Sequence, residues 1–421
     1  MDRALLLYVE LSGSPCLVGR LWARTRRGRE SATFEYDKTW LQHRERFALE
    51  PALTLGPGPQ HTASGRALFG ALGDSAPDRW GRVLMRRAER ARARREGRSP
   101  ATLLEADYLL LVDDETRQGA LRFAEREGGP FLAANAPSRI PPLVELPKLL
   151  QASDRVIGET DSDEDLRLLL APGSSLGGAR PKASVRDRDD TLAIAKFPHK
   201  DDDIDVEKWE VVALNLAGKA GIRVPKWRVE TVAGRTVLLL ARFDRVGGLR
   251  VPFLSAMSML GAVDNESHSY LEVVDAIRQY GSEPVADTQE LWRRMVFNVL
   301  ASNTDDHLRN HGFLYDYGAG WRLSPAYDLN PVPVDVRPRI LTLDITLDDA
   351  TASLELAFEV ADYFGIQATE AKRIAGEVGL AVSKWRREAE RAGIERVAID
   401  RMASAFEHDD IRRSLTISHA S

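Results

Sequence analysis

The sequence predicts an α+β protein, with strands crowded into the first 245 residues and helices dominating the remainder. Three observations carry that expectation. Apolar residues alternate loosely through residues 4–23 (Leu5, Leu7, Val9, Leu11, then Leu17 and Leu21) around Ser12-Gly13-Ser14-Pro15, the pattern of a hairpin. Two central runs, T-L-A-I-A-K-F-P at 191–198 and T-V-L-L-L-A at 236–241, read as strands, the second apolar throughout like a buried central strand. From about residue 255 helical spacing takes over, as in Leu291, Met295 and Val299 with Trp292, Val296 and Leu300 alongside; further helices are expected over 351–364, 369–385 and 394–407.

A chain of 421 residues can bury a large core and should hold two or three domains. With 43% hydrophobic and 29% charged residues it has an ordinary globular composition. A net charge of −5 argues against a protein built as a whole to bind nucleic acid. Cys16 is the single cysteine, which excludes an intramolecular disulfide and a cysteine metal cluster and fits a reducing cytoplasm. The opening M-D-R-A-L-L-L-Y-V is too short an apolar run for a signal peptide, and no run reaches membrane-spanning length. A cytoplasmic protein with no membrane role is the expectation.

After a short strand at Thr33 to Tyr36, a helix is expected from about Pro77. Nine arginines lie between Arg79 and Arg98, a candidate patch for phosphate backbones or an acidic partner. Glu89 and Glu96 interrupt the run and no aromatics interleave it, so a solvated helix face with Trp80, Val83 and Leu84 inward is preferred. Residues 128–148, rich in Pro, Gly and Ala, read as a connection between domains, and the acidic cluster from Glu159 to Asp165 reads as a solvated helix start.

Chemistry concentrates further on. The segment P-G-S-S-L-G-G-A-R-P-K, residues 172–182, offers Gly177 and Gly178 for close backbone approach to a ligand and Lys182 for charge, without being a Walker A loop. Lys196 ends the following strand, where a lysine can reach nucleotide phosphates. A helix from Val206 to Ala220 carries Glu207 and Glu210, either of which could face that lysine. Residues 303–310 read N-T-D-D-H-L-R-N, between the apolar helix and a hairpin that leads to S-P-A-Y-D. An Asp followed five positions later by Asn, and by another Asp beyond a hairpin, is the layout phosphoryl transfer needs: Asp305 for the attacking hydroxyl, Asn310 and Asp328 for Mg²⁺. Asp, Asn and His also crowd ordinary turns, so the octet alone leaves a plain loop open.

Gly-rich segment, strand lysine, helix glutamate, connector, Asp…Asn and Asp occur in an order that resembles the HipA family of serine/threonine kinases, toxins of type II toxin–antitoxin pairs. The similarity spans nearly the whole chain: A-P-D-R-W-G-R (76–82), G-G-A-R-P-K, I-A-K-F-P, L-A-G-K-A-G-I (216–222), A-R-F-D-R, T-D-D-H-L-R-N and S-P-A-Y-D. The resemblance implies a HipA-like kinase fold: a small amino-terminal subdomain over 1–130, a β-rich nucleotide lobe over 131–245 and a large helical catalytic lobe over 246–421. It implies Asp305 as catalytic base, Asn310 and Asp328 as Mg²⁺ ligands, and Lys196 on ATP phosphate with Glu210 as its helix partner. Gly177, Gly178, Ala179, Arg180 and Lys182 would cover the phosphates, Ala241, Arg242 and Phe243 would contact adenine, and His307, Arg309 and Tyr327 would complete the ATP site. His307 bracing the loop by hydrogen bonds is an equal alternative. Ser175 matches the serine that family members autophosphorylate, with Ser174 beside it as a second acceptor; phosphate there should eject the loop and end activity.

The implied substrate is a protein, an aminoacyl-tRNA synthetase, with slowed translation as the outcome. The implied partner is a small helix-turn-helix antitoxin of the HipB type. This chain shows no helix-turn-helix signature of its own, so DNA contact would run mainly through that partner. Two departures stand out: Ala241 where the family commonly has an acid, and Asp306 where it often has Gly, a second carboxylate able to perturb Asp305 or recruit metal. A corepressor that uses the kinase scaffold only for binding, and a small-molecule kinase, are the alternatives.

Overall fold

The amino-terminal alternation builds a five-stranded antiparallel sheet. In the computed structural model, which describes residues 3–134, 140–170, 178–200 and 202–419, β1 (Arg3–Leu11), β2 (Ser14–Arg26), β3 (Arg29–Tyr36), β4 (Gln60–His61) and β5 (Leu121–Ala124) run in the order β4-β3-β2-β1-β5. Ser12 and Gly13 both take positive φ (+48° and +82°), as a two-residue hairpin loop of this twist requires. That turn sets the register from Leu11 opposite Ser14 to Arg3 opposite Ala23.

A second antiparallel sheet holds β6 (Lys182–Arg186), β7 (Leu192–Lys196), β8 (Trp227–Val232) and β9 (Arg235–Ala241) in the order β6-β7-β9-β8. The apolar 236–241 run is the interior strand β9, and Val237 to Leu240 are all buried. Ala183, Val185, Ala195, Val237 and Leu239 share one core with Trp80 and Leu84 of the helix Arg79–Arg95 and with Leu149 of the helix Leu146–Ile157. Most of the arginine run is neutralised. Arg87 pairs with Glu159 and Asp161, Arg95 with Asp163, Arg92 with Glu96, Arg98 with Glu89 and Glu96, and Arg82 with Glu105. The basic and acidic stretches, each read as a solvated face, are in good part each other's partners; Arg79, Arg86, Arg90 and Arg94 stay exposed.

The chain packs as two compact units, Met1–Asp201 with Trp227–Leu254, and Asp202–Lys226 with Ser255–Ser421. The second is mainly helical. At its centre the helix Pro284–Ala301 buries Leu291, Trp292, Met295, Val296, Val299 and Leu300 completely. The helix expected over 351–364 is shorter. The Ser353 side chain caps the helix Leu354–Glu359 by accepting from the Glu355 and Leu356 N–H groups, and a 3₁₀ turn, Ala361–Phe364, ends at Gly365 with φ +74°. The run over 394–407 divides into Arg396–Arg401 and Ala403–Phe406. Among the described residues no helix is long and apolar enough to cross a membrane.

Candidate phosphotransfer site

The central helix stops because Ser302 turns left-handed (φ +50°, ψ +43°) and returns its N–H to the Asn298 carbonyl. The loop that follows is tied down from inside. Asn303 donates its amide to Asn298 Oδ1 at 2.9 Å and accepts from the Asn330 N–H at 3.0 Å, so the loop holds the segment after Asp328. Asp306 is 3% exposed, and three donors meet its Oδ2: the Tyr270 hydroxyl at 2.5 Å, Asn298 Nδ2 at 2.8 Å and His311 Nε2 at 2.8 Å. Burial works to raise the Asp306 carboxyl, but His311 and the Tyr270 hydroxyl hold it below the ordinary carboxylate value. The expectation that Asp306 recruits metal is therefore corrected: its side chain is an internal acceptor that braces the loop.

Asp305 is the opposite case. Its carboxylate is exposed, and Oδ1 receives Arg337 Nη1 at 2.8 Å. Arg337 also donates to the Thr342 hydroxyl at 3.2 Å, which itself donates to the Thr304 carbonyl at 3.0 Å. Asn310 is buried, and its Nδ2 donates to the Asp305 carbonyl at 3.2 Å, which leaves the amide oxygen to face another group. The strands Gly312–Asp316 and Gly320–Leu323 form the expected hairpin, with Phe313 opposite Leu323. Beyond it, Arg294 donates to the Ser324 carbonyl at 2.6 Å, the Ala326 N–H to the Arg223 carbonyl at 2.7 Å, and the Tyr327 hydroxyl to the Arg309 carbonyl at 2.7 Å. Asp328 sits at φ +59°, a conformation non-glycine residues adopt only where the surroundings hold it. His307 keeps a buried Nδ1 without a hydrogen-bond partner. Arg309 is exposed and paired with Asp264 at 2.5 Å.

Other predicted residues lie in the first unit. Gly178 and Ala179 are exposed, Arg180 is half-buried, and Lys196 is half-buried at the end of β7. Lys182 is 3% exposed with its ammonium 3.1 Å from Asp78 Oδ2. Arg242 is buried too: it donates to Asp244 at 2.6 Å and to the Thr116 carbonyl at 2.8 Å, while Asp244 accepts the Gly119 N–H at 2.8 Å. Burial works to raise Asp244, yet Arg242 and Arg245 hold it well below the carboxylate range. Ala241 and Phe243 are half-buried, and Glu210, on the helix Val206–Lys219 of the second unit, is buried. Gly177, Ser174 and Ser175 lie outside the described residues. Sequence reasoning missed Tyr270, Asn298, His311 and Arg337, which carry no local signal; Asp78 stood inside a noted motif without a role.

Among the described residues no group of three or more His, Cys, Asp and Glu side chains forms a ready metal cage. One carboxylate and one amide oxygen suit Mg²⁺, which keeps waters and takes phosphate oxygens rather than a full protein shell. The unpartnered His307 nitrogen beside Leu308–Asn310 is the kind of buried polar atom a ligand satisfies.

An exposed aspartate on a braced loop, followed along the chain by Asn310 and Asp328, on an α+β fold, is the candidate phosphotransfer site. The chain belongs to the HipA family: residues 174–385 match the HipA-like C-terminal domain and residues 9–106 the HipA N-terminal domain. Its fold matches HipA of Shewanella oneidensis MR-1, solved in a complex with HipB and operator DNA, with a TM-score of 0.66 and 16% identity over 99% of this chain and 97% of that one. Two relatives carry the name "Putative kinase". One, from Sinorhizobium fredii, is 24% identical over 70% of this chain and 71% of its own length. The other, from Haemophilus influenzae, is 30% identical over 24% of this chain, and the match spans 32% of that relative.

Proposed function

We propose that this protein is a HipA-type serine/threonine kinase that uses ATP and Mg²⁺. The observation that carries the reading is the contrast inside the loop, where Asp306 is locked by three donors and Asp305 next to it faces outward. Asp305 takes the proton from a protein serine or threonine hydroxyl as its oxygen attacks the γ-phosphorus of ATP, and the bond from that phosphorus to the departing ADP breaks. Bound Mg-ATP supplies the phosphoryl group and the cation that offsets its charge. Asn310 and Asp328 hold the metal, Lys196 holds phosphate with Glu210 as its helix partner, and His307, Arg309 and Tyr327 support the nucleotide. Ala241 and Phe243 contact adenine, while Arg242 braces that segment. Ser175, with Ser174 as second acceptor, is the autophosphorylation site.

The relatives' names and the family membership support a kinase. The HipB in the Shewanella complex supports a HipB-like helix-turn-helix partner, through which DNA is met. An aminoacyl-tRNA synthetase is the substrate we propose, and the cytoplasm the compartment. Intact mass after incubation with Mg²⁺ and ATP tests the activity: a gain of phosphate by the wild type that Asp305→Ala lacks, mapped to Ser175 or Ser174, supports it. No gain, from protein that enters the assay unphosphorylated and binds nucleotide, favours a binding module or a small-molecule kinase.

A further inference from the structure

The hairpin that joins β2 to β3 turns on two residues, Arg27 and Gly28, both at positive φ (+51° and +76°). Such a turn favours asparagine, aspartate or glycine at its first position, because other side chains are strained there. Arginine stands there instead. On either side of the turn Arg26 lies directly opposite Arg29, a like-charge pair that works against the sheet. Arg24, two residues from Arg26, points to the same face of the ribbon. All four arginines are exposed, and among the described residues none of them has an ion pair.

The helix Arg79–Arg95 repeats the pattern. Arg82, Arg87, Arg92 and Arg95 have carboxylate partners. Arg79, Arg86, Arg90 and Arg94 are exposed and, among the described residues, have none. Arg86, Arg90 and Arg94 follow at four-residue intervals, so they share one face about 6 Å apart along the axis, where like charges again repel. Glu105 ties this helix to the hairpin. Its N–H donates to Oε2 of Glu30, the residue after Arg29, at 3.0 Å, and its own Oε2 accepts Arg82 Nη2 at 2.6 Å.

Neither feature exposes a large apolar side chain of the kind that centres a protein interface. Unpaired guanidinium groups suit phosphate, which they grip with two parallel N–H donors, and a two-stranded ribbon is of a size that the major groove of a duplex admits. We infer that the β2–β3 tip and the exposed arginine face of the helix Arg79–Arg95 form one surface for the phosphodiester backbone of a double-stranded nucleic acid, met by this chain directly rather than through a partner. The net charge of −5 is a sum over the whole chain, and these cations are gathered locally. The surface uses no residue of the phosphotransfer site and stands without the kinase reading.

The test uses the full chain without a partner and the fluorescence anisotropy of a labelled mixed-sequence DNA duplex of about 20 base pairs, and of an RNA duplex of the same length, between about 50 and 200 mM salt. Two triple variants are compared with wild type: Arg26→Gln, Arg27→Gln and Arg29→Gln in the hairpin, and Arg86→Gln, Arg90→Gln and Arg94→Gln in the helix. Glutamine keeps a long polar side chain and removes the like-charge repulsion, so both variants should melt at or above the wild-type midpoint. Expected is a loss of about tenfold or more in affinity for each triple variant, with the logarithmic salt slope shallower by about three. Binding of one duplex alone names the source as DNA or RNA, and binding of both assigns the backbone they share. The inference is overturned if wild type binds neither duplex at about 50 mM salt, or if either triple variant binds as tightly as wild type. It is also overturned if excess Mg-ATP displaces the duplex, or if a poly-glutamate peptide binds as tightly, which would mark an acidic protein as the occupant.

Discussion

The two compact units treat their charged motifs in opposite ways. In the second, a buried network around Asp306 works to keep one neighbouring carboxylate, Asp305, at the surface. In the first, a cation that looks ready for adenine is turned inward: Arg242 onto Asp244 and two backbone carbonyls. Neighbours within a motif therefore do different jobs. Burial together with the number of fixed partners separates the groups that hold a site from the groups left to meet a ligand.

The largest effect that would break this comparison lies at Asp305. Asp305→Ala should lower phosphotransfer by about a thousandfold with the thermal midpoint unchanged, measured by radiolabelled ATP and by melting. Retained activity, or a large loss of stability, would place Asp305 among the holders. Next come the internal acceptors. Asp306→Ala strands three donors and Asp244→Ala strands Arg242 and Arg245, and each should cost about 3–5 kcal/mol in urea unfolding. A cost below about 1 kcal/mol at either site would show that burial there is not what holds the segment.

Glu50 sharpens the comparison by showing burial acting with less compensation. Its carboxylate is 3% exposed and accepts the Ala71 N–H at 2.5 Å, and burial, the dominant influence, pushes it up from 4.5 to about 7. Because the folded value lies above the unfolded one, its contribution to stability is fully present below pH 4.5 and is lost as pH rises to about 7. Glu50→Gln should therefore be more stable than wild type at pH 8, by up to about 3 kcal/mol, and gain little at pH 4.5. Parallel curves of stability against pH for the two proteins would refute this. The smallest effect is at Arg337. Its pair with Asp305 is solvent-exposed, so Arg337→Ala should change stability by less than about 1 kcal/mol. Phosphotransfer should still shift several-fold through kcat with KM for ATP held, which steady-state kinetics would read.

What was legible in the sequence is what periodicity and short motifs encode. The core face of Pro284–Ala301, the hairpin from Gly312 to Leu323 and the interior strand β9 follow from spacing within one element. The Asp305–Asn310–Asp328 series was visible because its residues flank a recognisable hairpin. Tyr270 reaches Asp306 across 36 positions of chain, and Asp78 reaches Lys182 across 104, and no local pattern records such meetings. For the same reason two charge runs were read as separate solvated faces, although Arg87 and Arg95 reach Asp161 and Asp163. Helix ends were misplaced where a single side chain decides them, as Ser353 does.

One oxygen atom, Asp306 Oδ2, receives Tyr270, Asn298 and His311. Loss of Asp306 strands all three donors, while loss of one donor leaves the carboxylate with two, so lineages that change position 306 should change its donors with it. A descendant with glycine at 306 is expected to carry phenylalanine at 270 and an apolar residue at 311. The quartet would then be an inherited unit, passed on or discarded whole.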